Sequence, residues 1–539
     1  MKRLFFVCTI ALTVLLFTNC KKDDNNAPPA DVKPVAIDFI IADSGVHVNP
    51  NGFTPLSAQL NFNSIKSGRT FIKVHGRHGA LSNVTHLFSD TGAFHSIPII
   101  GMYADTTNTV DIRIIDANGD TLAKSTVAIF TQALPANMPT SIVTDKLDEA
   151  KTESGMYLVS NFNAYGVSGK TYIPYMLDAY GDIRWVLDYS TSTELSTMYY
   201  EDGIARLRNG NFYFGNTSNN SIYEVDILGK IVNRWTMPGY LFHHEVHEET
   251  NGNFILTASK EGSTYTGSNN PTIEDYVIEI DRNSNQINTI WNLKESLDEH
   301  RTAWGSLSAS DWFHGNAVFD DSTDNTIIVS GRNQGVIKLD RKNQVKWILA
   351  PHKDWGISGK GDSLTKYLLT PLDESGNVIA DTTVSYGSTI LPDFEWNCYQ
   401  HSPIQLPDGN LMLFDNGDNR TLNISDGNNP FNGAPGKYSR AVEFKINEAN
   451  MTVQQVWQYG KERDVACYSS IVSSVQYLPG SNHVVFAPGA FVQNANGKGG
   501  KIIEVDYNTK EVVNEISITT SNSFSHHRAK KMSLYPDNL

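Results

Sequence analysis

Two short patterns recur along residues 177–518 of this 539-residue chain, and their recurrence limits the fold more than any other feature. The first is an Asp or Asn turn followed by an apolar strand that ends near Trp. It reads LDAYGDIRWVLD (177–188), VDILGKIVNRWTM (225–237), IDRNSNQINTIWNL (280–293), LDRKNQVKWIL (339–349) and INEANMTVQQVWQY (446–459). It returns without its Trp as VDYNTKEVVNEISI (505–518). The second pattern is an apolar strand, a tight Asn-Gly or Asp-Gly type turn and another strand. Its copies are ARLRNGNFYFGN, EVHEETNGNFILTAS, NAVFDDSTDNTIIVSG, PIQLPDGNLMLFDNG and SVQYLPGSNHVVFAPG. Six copies of a four-strand unit of about 50–70 residues predict an all-β six-bladed β-propeller, here assigned to residues 145–539. A pair of β-sandwiches would not repeat one turn in one register six times. The ending HHRAKKMSLYP is expected to add a strand that closes the ring against the first blade.

Ahead of the repeats, residues 35–135 alternate β-rich runs with turns, among them PLSAQLNF, RTFIKVHG and VDIRIIDANGD. This spacing predicts a small N-terminal β-sandwich domain, with TQALPANMP as linker. The first 19 residues have a basic start and an apolar stretch of signal-peptide length. Cys20, directly after that stretch, resembles a bacterial lipoprotein cleavage site. Residues 20–34 then read as a charged tether. The expected location is the cell envelope, with the membrane reached only through a lipid on Cys20. Cys398 and Cys467 are the only cysteines left beyond it, too few for a structural zinc site, and pairing and free thiols are both compatible with the sequence.

Register picks out candidate chemistry. His244 lies nine residues before Asn253, and His401 lies nine before Asn410. His314 lies eleven before Asn325, and a two-residue insertion in the turn restores the alignment. Asp202 and Ser473 fill the slot elsewhere. In a propeller this slot enters the innermost strand at one rim of the central channel, so three imidazoles from three blades should converge. Arg332, at the end of IIVSGR, belongs to the blade of His314. The chain carries a formal net charge of −15 and no long basic run, which argues against a nucleic-acid partner. An anionic substrate would need local positive charge, and a guanidinium fork suits tetrahedral oxyanions.

The stretch FHHEVHEETNGNF (242–254) invites comparison with a zinc-protease helix, which needs His-Glu-x-x-His. Here His247 follows His244-Glu245 one residue too soon, and His244 occupies the position where a helix starting at His243 would need Glu. On a strand, residues four apart share a face but sit about 13 Å from each other. Register selects His244 and leaves His243 and His247 open as supporting or packing residues. No metal is expected, with a three-histidine metal site from separate blades as a lesser reading. No cofactor is expected either, since the chain has no complete Walker-type nucleotide loop: Gly169-Lys170-Thr171 has Ala164 where the first glycine would stand.

With these motifs set out, the chain resembles the bacterial arylsulfate sulfotransferase family that is independent of phosphoadenosine phosphosulfate. The likeness runs through roughly residues 150–539 and is most specific in DWFHGNAVFDDSTDNTIIVSGRNQGVIKLDR and YQHSPIQLPDGNLMLFDNG. It implies a six-bladed propeller that moves a sulfuryl group from an aryl sulfate to a phenol through a sulfohistidine. Carried over by motif, YQHSP makes His401 the nucleophile. WFHGN and SGRNQG make His314 and Arg332 holders of the sulfuryl oxygens, and His244 is the remaining assisting histidine. A non-catalytic propeller that binds glycans or a protein partner is the alternative from another class. Histidines splayed apart at an aromatic rim would mark it.

Overall fold

The computed structural model describes residues 35–36, 45–163, 165, 171–199, 203–301, 309–418, 420, 437–537 and 539. The expected signal segment, the tether with Cys20, and Asp202 lie outside the described residues. The fold is all-β, a six-bladed propeller preceded by a β-sandwich.

The sandwich faces a five-strand sheet with a three-strand sheet. Alternate residues of Ala58–Asn63, Arg69–Val74 and Thr107–Ile115 turn inward, as the period of two demands, and put Leu60, Ile72, Val110 and Ile112 in the core. The sandwich is welded to blade one. Arg184 is fully buried, pairs with Asp178 at 2.7 Å, and donates to the backbone oxygens of Ser82 and Gly101.

Blades two to five grow outward in chain order, from innermost strands Ala205–Arg206, Tyr240–Glu248, Gly315–Asp321 and His401–Gln405, except that blade five adds the earlier strand Thr370–Leu372 in parallel at its outer edge. Blade six begins at Ser474–Leu478 and takes Ser141–Leu147 as its outermost strand. Blade one (Met156–Asn161, Tyr175–Leu177, Ile183–Val186) takes its innermost strand, His526–Met532, from the chain's other end. The ring is therefore closed twice, at the inner edge of blade one and at the outer edge of blade six.

The repeats have a physical origin in the contacts they make. Each turn Asp caps its own turn: Asp226 Oδ1 accepts from the amides of Leu228 and Lys230 at 2.9 Å, and Asp340 does the same for Lys342 and Gln344. The Trp indoles staple neighbouring blades. Trp185, Trp235, Trp291 and Trp457 donate Nε1–H to the carbonyls of Ile227, Arg282, Asp340 and Tyr507 in the next blade, at 2.7–3.0 Å. Trp347 instead donates to the Glu448 carboxylate. In the copy without Trp, Asn514 donates to Ala179 O of blade one at 3.2 Å and makes the corresponding link. The Asn of the second pattern is fixed by a third-strand glutamate: Asn211 to Glu224, Asn253 to Glu279 and Asn410 to Glu443, at 2.6–2.7 Å.

Candidate active site

Blade four shows how the channel end is built. The segment after its second strand (Thr326–Gly331) straps down the segment before its first. Arg332 N–H donates to His314 O, Asn333 N–H to Phe313 O, Asn333 Nδ2 to Asp311 O, and Gln334 Nε2 to Trp312 O. A Cβ on Gly331 would lie 2.5 Å from the Phe313 ring, so the close approach requires glycine. DWFH and GRNQG are thus two halves of one scaffold. Blade five is keyed to it: Gln400 Nε2 donates to Ser330 Oγ and Gly331 O at 3.0 Å, and Asn316 Nδ2 donates to Gln400 O. These bonds fix His401 relative to Arg332.

His244, His314, Arg332 and His401 line one cavity of about 500 Å³, together with His243 and His527. The His244 and His314 rings lie 5.0 Å apart, and their Nε2 atoms 3.3 Å apart. The His527 ring stands 5.6 Å from His244 and 5.9 Å from His401. Phe162, Tyr165, Tyr199, Phe524, Ile471 and Val472 supply an apolar wall. The imidazoles converge rather than splay apart.

The histidine-rich stretch that made residues 243–247 ambiguous is resolved by its backbone. Neighbouring residues on a regular strand face opposite sides. In Tyr240–Glu248 the pairing register shifts between Phe242 and Val246, and His244 takes φ 53°, a bulge that turns His243 and His244 into the same cavity. His247 has left it. That ring is 3.4 Å from Asp320 and lines a separate cavity of about 380 Å³. Ser473, at the corresponding slot of blade six, is fully buried and bonded to Ser469 and Gly489, while Ile471 and Val472 line the cavity.

His401 is only 2% exposed, and its ring is oriented by Asn416. The Asn416 amide donates to Ser469 O and Val472 O, so its Oδ1 accepts from His401 Nδ1 at 2.7 Å. The proton is held on Nδ1 and the Nε2 lone pair stays available. Burial first, then the charges of His527 and Arg332, push the His401 pKa well below the ordinary imidazole value, outweighing the opposing effect of Asn416. Arg332 lies over the Tyr399 ring at 4.9 Å, and its Nε has no acceptor among the described residues.

Three participants in this geometry have no counterpart in the sequence reading. His527 follows from the closing strand: as the innermost strand of blade one, it starts at the same rim as the others. Asn416, in the second strand's exit, and Glu274, ahead of Tyr276–Ile280, carry no register signal. Among atoms close enough to share an ion, the sets are His243, His244 and Glu274, and Glu274, Asp311 and His314. Among the described residues His401 belongs to neither, so the lesser reading of a three-histidine metal site from separate blades finds no such set. Cys398 and Cys467 are buried free thiols.

Fold and cavity together define a six-bladed propeller enzyme whose channel end gathers imidazoles and a guanidinium under an aromatic wall. The chain belongs to the arylsulfotransferase family. The family's catalytic-domain model matches residues 142–528, and the arylsulfotransferase Ig-like domain model matches residues 45–132. The chain is 29% identical to the arylsulfate sulfotransferase AssT of Escherichia coli O6:H1, over 90% of this chain and 92% of that one. It is 28% identical to the AssT of Lelliottia amnigena, over 89% and 91%.

Proposed function

We propose that the protein transfers a sulfuryl group from a phenolic sulfate ester to a phenolic acceptor in two displacements through a sulfohistidine on His401. The observation that carries this reading is the pairing of a buried, neutral imidazole, its Nδ1 bonded to Asn416, with the Arg332 guanidinium in one cavity. His401 Nε2 attacks sulfur, the aryl oxygen–sulfur bond breaks, and the phenolate departs with the electron pair and takes up a proton. The acceptor phenol then loses a proton, its oxygen attacks the same sulfur, and the nitrogen–sulfur bond returns its pair to Nε2. Arg332 and His314 hold the sulfuryl oxygens, where charge must be stabilised in both half-reactions. His244 protonates the departing phenolate and deprotonates the acceptor. The aromatic wall suits an aryl ring. Donor and acceptor using one cavity in turn predicts ping-pong kinetics.

His401→Ala should abolish transfer from p-nitrophenyl sulfate to phenol, and full activity in that variant would refute the assignment. Nitrophenol release that is unchanged by added phenol would instead make water the acceptor. We also place the protein at the cell envelope through a lipid on Cys20, on the strength of the apolar segment before it. Cys20→Ala should move it from the membrane to the soluble fraction, and retention in the membrane would contradict the anchor.

A further inference from the structure

Glu274 is 2% exposed and is held by three imidazoles. His243 Nε2 is 2.9 Å from Oε1, while His244 Nε2 and His314 Nδ1 are 3.3 and 3.1 Å from Oε2. His314 Nδ1 also lies 3.0 Å from both oxygens of Asp311. The carboxylate is delivered by a built backbone. Its own amide donates to Ser259 Oγ, its carbonyl accepts from Gly315, and its φ of 57° lies in the left-handed region. A buried carboxylate is costly unless cations compensate it, and its removal leaves them uncompensated in turn. Here the compensating groups are the imidazoles that face the cavity. Burial would raise the Glu274 pKa, yet the charges of His314 and His243, followed by the hydrogen bonds of His243 and His244, hold it well below the usual carboxylate range.

We infer that Glu274 is a positioning residue for sulfuryl transfer: its buried charge holds His244 and His314 in place to hand a proton to the departing phenolate. The inference rests on the sulfuryl-transfer reading above. It divides the cavity in two. His401 faces an amide oxygen and attacks as the neutral ring, whereas the His244–His314 pair faces the carboxylates of Glu274 and Asp311 and moves the protons. In the first half-reaction a proton passes from the His244–His314 pair to the phenolate oxygen. In the second, the acceptor's hydroxyl proton returns to the pair, so the cluster ends as it began. Separate environments for acid and nucleophile are what such chemistry requires.

The test is the leaving-group dependence of Glu274→Gln, which keeps shape and an acceptor oxygen but loses the charge. Nitrophenolate is stable unprotonated, whereas phenolate needs the proton. Turnover of phenyl sulfate should therefore fall about 10²-fold or more, and that of p-nitrophenyl sulfate at least about tenfold less. The variant should show the loss in kcat rather than KM. A structural role would lower both esters equally, and that result would overturn the inference. A stoichiometric transition metal in the purified wild type, lost in E274Q, would overturn it as well. Should E274Q not fold, His243→Gln, which removes one compensating ring, should show the same ordering more weakly, and equal losses there would also refute it. Failure of the wild type to transfer from either ester would refute the sulfuryl reading itself. Wild-type transfer with an unchanged ester ratio in both variants would refute only the role of Glu274.

Discussion

Asn416→Ala removes the nearer of the two acceptors of His401 Nδ1 and leaves only Tyr399 O, at 3.1 Å, to hold the proton there. The ring can then adopt the tautomer with a proton on Nε2, which cannot attack. A fall in kcat of at least about tenfold is expected, with folding retained, because a wrong tautomer disables an otherwise intact imidazole. Steady-state kinetics beside a thermal melt separate the two, and unchanged kcat would show that Asn416 does not set the tautomer. Arg332→Lys keeps a charge but loses the planar fork. A loss of about 10²–10³ in kcat is expected, as for removal of one preorganised donor to a transition-state anion. The residue scale is also where the sequence is least legible. His244, His314 and His401 share a slot because a repeat imposes it. Glu274 and Asn416 act through contacts that only the folded backbone creates. His243 and His247 are indistinguishable in the sequence, because the bulge at φ 53° that separates them leaves no mark there.

At the scale of elements, the repeated Trp is a staple between blades. Trp291 is fully buried and donates to Asp340 O at 2.9 Å. Trp291→Phe keeps most of the ring but removes the link between blades, while that carbonyl keeps the Asn343 amide at 3.0 Å, so a destabilisation of about 0.5–1.5 kcal/mol from the lost bond is expected, with kcat unchanged. Calorimetry and activity together check this, and an unaltered melting temperature would show that packing alone holds the blades. Turn chemistry and strand pairing were readable because each rests on a short local pattern: Asp-capped turns, Asn-Gly corners and Trp at a fixed offset. The closing strand was readable as a strand, and its consequence follows only once its position in the sheet is known. His526–Met532 is innermost in blade one, which brings His527 to the rim where the other histidines enter.

For the whole molecule, ring closure links stability to pH. His526 is fully buried in the closing strand, and burial first of all pushes its pKa from 6.5 down to about 3. In the window between those values the unfolded chain binds a proton that the folded chain refuses. Folding stability contributed by the neutral ring is therefore complete above the unfolded value and is lost as pH falls toward about 3. The slope should approach about 1.4 kcal/mol per pH unit for this one group. His526→Asn should remove that component from unfolding free energies measured between pH 6 and 4 (roughly the centre of the window). An identical slope in wild type and variant would contradict the assignment. A propeller closed by strands from before and after its repeats brings residues from blades one, three, four and five to one cavity. The direct test is intact-mass and peptide analysis after brief mixing with an aryl sulfate and no acceptor. A single sulfuryl adduct on His401, absent in His401→Ala and discharged by phenol, is predicted. Transfer that proceeds with no such adduct, or with the adduct on another residue, would contradict the account.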